Sequence, residues 1–119
     1  MSGDIPERDW RLLRSLHQGA LDRYCARVLD DCEAVIHSVE GSSHDRYLRL
    51  FRLLRDRDDS IAGAFNDLRR STAIQRLASM ILLGVVTDEN LAEFSQPTRE
   101  AATTLADISR PSGKRRNAP

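Results

Sequence analysis

Apolar residues recur through the first third of this chain at helical spacing. Trp10, Leu13, Leu16, Ala20, Leu21, Tyr24, Cys25, Val28, Leu29, Cys32, Val35 and Ile36 follow one another at steps that keep to one side of a 3.6-residue period. The pattern predicts a helix from about residue 5 to 38. Asp4 stands as its cap, Pro6 in its first turn, and Glu7 three after Asp4 in a capping-box arrangement. Gly19 weakens such a helix by about 1 kcal/mol relative to Ala, which a long packed face absorbs. "SVEGSS" closes it, with Gly41 in the loop and Ser42 or Ser43 capping a second helix, Asp45 standing three after Ser42.

The second stripe runs Tyr47, Leu50, Phe51, Leu54, then Ile61, Ala64, Phe65 and Leu68. Between its halves lies a fully charged turn, Arg55-Asp56-Arg57-Asp58-Asp59. Further on, "RRST" ends this helix, with Ser71 or Thr72 capping a third through Ile74, Leu77, Ala78, Ile81 and Leu82. Gly84 reads as its C′ residue. Thr87 caps a short fourth helix with acids in its first turn. Ser95 caps a fifth, with Pro97 in its first turn and a thin stripe of Ala101, Ala102, Leu105 and Ile108. No strand-like alternation and no internal repeat is visible. The reading is all-α: a long antiparallel helical hairpin with three shorter C-terminal helices. One helical domain spans 1–110, and a disordered basic tail, "PSGKRRNAP", spans 111–119.

Two long helices joined by a short loop fold back as a hairpin. Both rise equally per residue, so facing residues carry numbers that total about 81 when the loop is centred at 40–41. This sets Gly19 and Ala20 beside Ala62 and Gly63, a candidate close helix crossing. It also sets Tyr24, Arg23 and Arg27 beside Arg57 and Asp58, a candidate polar layer in which the hydroxyl and guanidinium groups answer the Asp58 carboxylate. A buried carboxylate without partners costs several kcal/mol. The alternative is a helix break, with Arg55 and Arg57 ending one helix and Asp58 or Asp59 capping the next. A hairpin alone does not cover so wide an apolar stripe. The expectation is that the short helices cover one end and that a second copy covers the rest, giving a homodimer with a four-helix core; a self-contained monomer is the alternative.

Length and charge narrow the function classes. The chain has 119 residues, enough for one domain with a modest core. Its 18 basic and 18 acidic residues balance, which argues against a domain built for bulk phosphate binding. Lys114 is the sole lysine, a bias that coding composition explains. Cys25 and Cys32 lie seven apart, about 10.5 Å along one helix, beyond the roughly 7 Å that a disulfide allows. They read as reduced thiols of a cytoplasmic protein. The first twelve residues are polar and acidic and show no secretory signal. The longest apolar run, "MILLGVV" at 80–86, is far short of the roughly 20 residues a bilayer requires.

Candidate chemistry is thin. His17, His37 and His44 have no cysteine or carboxylate at a ligand spacing, so no metal or other cofactor is expected. The Asp56, Asp58 and Asp59 cluster lacks the glycine and terminal glutamate of a calcium loop. Neither cysteine has a basic neighbour that would form thiolate, and there is no glycine-rich phosphate loop. A nucleic-acid reading would use Arg69, Arg70 and the tail residues Lys114, Arg115 and Arg116. The helix after the turn at Gly84 is "DENLAEF", which phosphates repel, so this reading is not favoured. A small helical enzyme would need Tyr24, Asp58, Arg27 and His17 to line a closed pocket.

The segment "RDRDDSIAGAFNDLRRSTAIQRLASMILLGVVTDENLAEFSQPTRE", with "DIPERDWRLLR" upstream, is similar to a group of small all-helical bacterial proteins of unknown function. The resemblance implies an all-helical fold and brings no activity, ligand or site residue with it. "LLGVVTDENLAEF" is similar to the turn of short C-terminal oligomerisation motifs. The expectation is a non-enzymatic interaction or regulatory module that binds itself or another protein.

Overall fold

The structure is a computed structural model and describes residues 5–110. Asp4 and the basic tail lie outside the described residues. Five α-helices follow in order: α1 Glu7–Ile36, α2 Ser43–Phe65, α3 Ala73–Leu82, α4 Asp88–Ala92 and α5 Gln96–Ser109, with a 3-10 turn at Arg70–Thr72 before α3. No strand occurs among the described residues, so the all-α reading holds. None of the helices is long and apolar enough to cross a membrane.

α1 and α2 fold back on each other as an antiparallel hairpin. Two bonds fix their register. His17 meets the Phe65 carbonyl oxygen through Nε2 at 2.9 Å, and Arg46 donates to the Ile36 carbonyl at 3.2 Å. Residue numbers total 82 in both pairs, within one of the value that loop position alone predicts. α2 opens with a full capping box: Ser42 accepts from the Asp45 amide, and Asp45 accepts from the Ser42 amide, each at 3.0 Å. The Ser42 amide, and after it the Ser42 hydroxyl, hold the exposed Asp45 carboxyl below the usual aspartate range. Ser42→Ala is expected to cost about 1 kcal/mol of stability, measured by thermal unfolding, because it removes a cap.

α2 runs unbroken through Arg55–Asp59, so the helix-break alternative is overturned. The turn survives because its charges need not be buried. Asp56, Asp58 and Asp59 point to solvent, and only Arg57 is half-buried. Indeed, Ala64 and Phe65 are the only fully buried residues in α2.

The core forms where α3 crosses the open end of the hairpin. Leu77 and Met80 of α3 are sealed there with Leu13 and Ala20 of α1 and Phe65 of α2. Small residues let α5 lie close to α3: Thr98, Ala102 and Ala106, one turn apart, are buried. The stripe expected on α5 is therefore rotated, since Ala101 and Ile108 face outward. A buried polar node sets that rotation. The Asp9 carboxylate, fully buried in α1, accepts from the Ser95 amide at 3.0 Å, the Ser95 hydroxyl at 2.5 Å and the Thr98 hydroxyl at 2.6 Å. It thus serves as the cap at the positive end of α5, where a carboxylate is favoured. Ser95 turns its hydroxyl to Asp9 instead of capping its own helix.

α3 stops in a Schellman motif. Gly84 sits at φ +73°, its amide donates to the Ile81 carbonyl at 3.0 Å, and the Val85 amide donates to the Met80 carbonyl at 3.2 Å. α4 starts from a second reciprocal cap, Thr87 with Asn90.

Candidate functional site

Arg23 and Arg27 do not turn toward Asp58. Arg23 donates to the Val85 carbonyl at 2.8 Å; Arg27 donates to Leu83 and Gly84 carbonyls at 2.9 and 2.7 Å. Two cations thus hold the negative end of α3 against α1, where unpaired carbonyls and the helix dipole both favour them. Tyr24 is buried against Phe65, with ring centroids 6.5 Å apart. Arg57 reaches across the hairpin to Asp31 at 3.7 Å and pairs with Asp56 at 2.6 Å. Asp58 makes no hydrogen bond or ion pair among the described residues. The proposed polar layer is therefore corrected: its members share a level but point in different directions. Arg23 and Arg27 lie about 60–100° round α1 from Tyr24 at 100° per residue, on the side that α3 occupies.

The close-crossing expectation is corrected on the same ground. Ala20 is buried, but Gly19, Ala62 and Gly63 are exposed. A Cβ added to Gly63 would meet nothing within 4 Å, and one added to Gly19 would meet only the Arg23 side chain. Nor do Tyr24, Asp58, Arg27 and His17 line a common pocket. His17 is spent on the Phe65 carbonyl, Arg27 on α3, and Asp58 lies on the outer surface. Among the described residues, no group of three His, Cys, Asp or Glu side chains is placed to hold a metal ion. Both cysteines are free thiols. Arg70 is engaged too, with the Glu7 carboxylate at 2.7 Å and the Ile5 carbonyl at 3.0 Å, and Arg69 pairs with Asp67 at 2.8 Å. The tail cations Lys114, Arg115 and Arg116 lie outside the described residues.

What the fold leaves open is an apolar face. Near the closed end of the hairpin, Leu29, Ile36 and Val39 with Tyr47, Phe51 and Leu54 are between 46% and 96% exposed. Ile108 is the remaining large hydrophobic residue left exposed among the described residues. On α2 the stripe is narrow. At 100° per residue, Tyr47, Phe51, Leu54 and Asp58 fall within about 60° of arc. Phe65 lies on the same line but is buried at the covered end. On α1, Leu29, Ile36 and the partly exposed Cys25 fall within about 40°.

Both stripes lie about 100° further round their helices than the residues that face across the hairpin, Tyr24 and Val28 on α1 and Leu53 and Arg57 on α2. In an antiparallel pair of right-handed helices, equal turns in the same sense from the contact line lead to the same side. The stripes therefore form one face, and the end of α3, clamped by Arg23 and Arg27, sits on the opposite side. Residue levels match across it: Leu29 stands beside Leu54, and Ile36 beside Tyr47. Polar groups edge this face. The Arg55 guanidinium stacks over the Phe51 ring at 5.5 Å, and the His44 ring stacks on Tyr47 with centroids 6.5 Å apart. Asp58 joins Phe51, Leu54 and Arg55 around a shallow open hollow.

Comparison with protein-family models, with curated proteins and with solved structures returned no match.

Proposed function

We propose that this chain is a non-enzymatic, cytosolic interaction module, and that the bare face of the hairpin is where it meets another protein chain. The contiguous apolar face carries this reading. Scattered apolar residues are ordinary on a surface, but five large ones gathered on one face (Leu29, Ile36, Tyr47, Phe51 and Leu54), edged by charge, mark a contact site. The two free thiols support a reducing compartment.

The face also explains the long arms. α1 and α2 run on past the helices that cover their open end, giving the molecule extents of 56 × 32 × 24 Å. That extension contributes less to folding than the covered end does, since α2 holds no fully buried residue before Ala64, only partly buried ones such as Leu50, Leu53 and Ile61. Docking gains a stiff, two-helix platform.

Phe51→Glu tests the proposal. Molar mass by light scattering and the set of proteins retained in a pull-down are compared for the natural chain and the variant. The expected result is a complex, with a second copy or with another protein, that weakens at least ten-fold on placing a charge at the centre of the face. A natural chain that is strictly monomeric, with the variant retaining the same proteins, would overturn it. Because Phe51 is half-exposed, circular dichroism of the variant should match the natural chain.

A further inference from the structure

The stripe on α2 is complementary to itself. Tyr47 and Asp58 are centred on the same midpoint as Phe51 and Leu54, between residues 52 and 53. A two-fold axis at that level, crossing the hairpin from arm to arm, would lay α2 antiparallel on α2 of a second copy. Phe51 of each chain then stands opposite Leu54 of the other, and Tyr47 opposite Asp58. The same level on α1 falls between Leu29 and Asp30, because facing residues total 82. Leu29 of the two copies therefore meets at the axis, and one axis serves both arms.

We propose that a second copy of this chain occupies the bare face in this register, as an antiparallel four-helix core. The inference rests on the reading of that face as a contact site. What commits it to a second copy is polar complementarity. Asp58 lacks a partner within its own chain among the described residues, and it interrupts an otherwise apolar stripe. In the antiparallel register it meets the Tyr47 hydroxyl of the other chain, with His44 stacked one turn away. The carboxylate gains a donor at the edge of the buried centre, once on each side of the axis. A displacement by one turn would set Asp58 against the apolar centre of the other copy. The charged turn thereby specifies register between chains.

Disulfide trapping separates the outcomes. Tyr47→Cys and Asp58→Cys chains are oxidised singly and as a mixture, and linked peptides are mapped by mass spectrometry so that Cys25 and Cys32 are told apart. In the proposed register, 47 lies opposite 58, whereas 47 lies about 16 Å from its own counterpart, too far to bridge. The expected result is a dimer mass for the natural chain and a 47–58 link that forms in the mixture and in neither variant alone. A 47–47 or 58–58 link, or a dimer with no 47–58 link, would overturn the register. A monomeric natural chain would overturn the second copy as occupant, and the contact-site reading would then stand or fall separately on whether Phe51→Glu releases a different protein.

Discussion

Asp9→Ala is expected to destabilise the protein by about 3 kcal/mol, read from urea unfolding followed by circular dichroism. The carboxylate is fully buried and accepts from one amide and two hydroxyls across 86 or more positions of sequence. Removing it leaves the Ser95 amide without its acceptor at the start of α5, and a buried donor left unmet costs about 1–3 kcal/mol. It also deprives the Ser95 and Thr98 hydroxyls of their acceptor, which sets the expected loss at the upper end of that range. Asp9→Asn should cost less, because its amide oxygen can still accept from Ser95 and hydroxyls can reverse to accept from its nitrogen. Acid titration gives a second reading. Burial pushes the Asp9 carboxyl up, but the Ser95 and Thr98 hydroxyls, the Ser95 amide and nearby Arg8 together hold it below the usual aspartate range. A depressed native value means that the contribution is fully present above the unfolded value of about 3.9. It is lost as pH falls through the lower native value. Stability of the natural chain should therefore fall below about pH 4, and Asp9→Asn should flatten that part of the profile. An Asn variant with an unchanged acid limb would show that the carboxylate charge is not what holds α5.

Level along the helices was legible from the residues, and rotation about them was not. Loop position and the common rise per residue place His17 opposite Ala64, and the structure pairs it with Phe65, one residue on. Which side Gly19, Ala62 and Gly63 face depends on where α3 settles, and no local pattern announces that. Glycine and alanine look alike whether they allow a close approach or merely sit in solvent. Arg23 and Arg27 misled for a related reason. An acidic turn at the right height is a natural partner for them, yet carbonyls at a helix end compete for guanidinium groups without leaving a charged letter in the sequence. Caps were readable where the partner lies within three or four residues: Ser42 with Asp45, Thr87 and Gly84 perform as their positions imply, whereas Thr72 makes no side-chain cap to α3 and Ser95 spends its hydroxyl on Asp9. Asp9 gave no such signal. It looks like any acid in the first turn of a helix, and its partners lie at the far end of the chain. The bare face was legible as a surplus, since the stripes on α1 and α2 are wider than one neighbouring helix covers.

Gly84→Val should lower stability by about 2–3 kcal/mol, and the reason joins the backbone to the hairpin. Gly84 holds φ +73°, a conformation that costs an L-residue about 1–2 kcal/mol and a β-branched one more. A Cβ there would stand 3.4 Å from Nη1 of Arg27, an ordinary contact, and it is the two methyl groups of valine beyond it that would crowd the guanidinium bonded to the Leu83 and Gly84 carbonyls. The Schellman bonds from Gly84 and Val85 depend on the same geometry, and Val85 is sealed in the core beside Met80. Strain at this one residue therefore loosens three things together: the end of α3, the burial of Val85 and the clamp from α1. Gly84→Asn discriminates between strain and bulk. Asparagine tolerates the left-handed region but is about as large as valine, so it should recover at least half of the loss in a urea-unfolding series. Equal losses for Val and Asn would place the cost in the crowding of Arg27. In that case, adding Arg27→Ala to Gly84→Val should cost little more than Gly84→Val alone, because the clamp would already be broken.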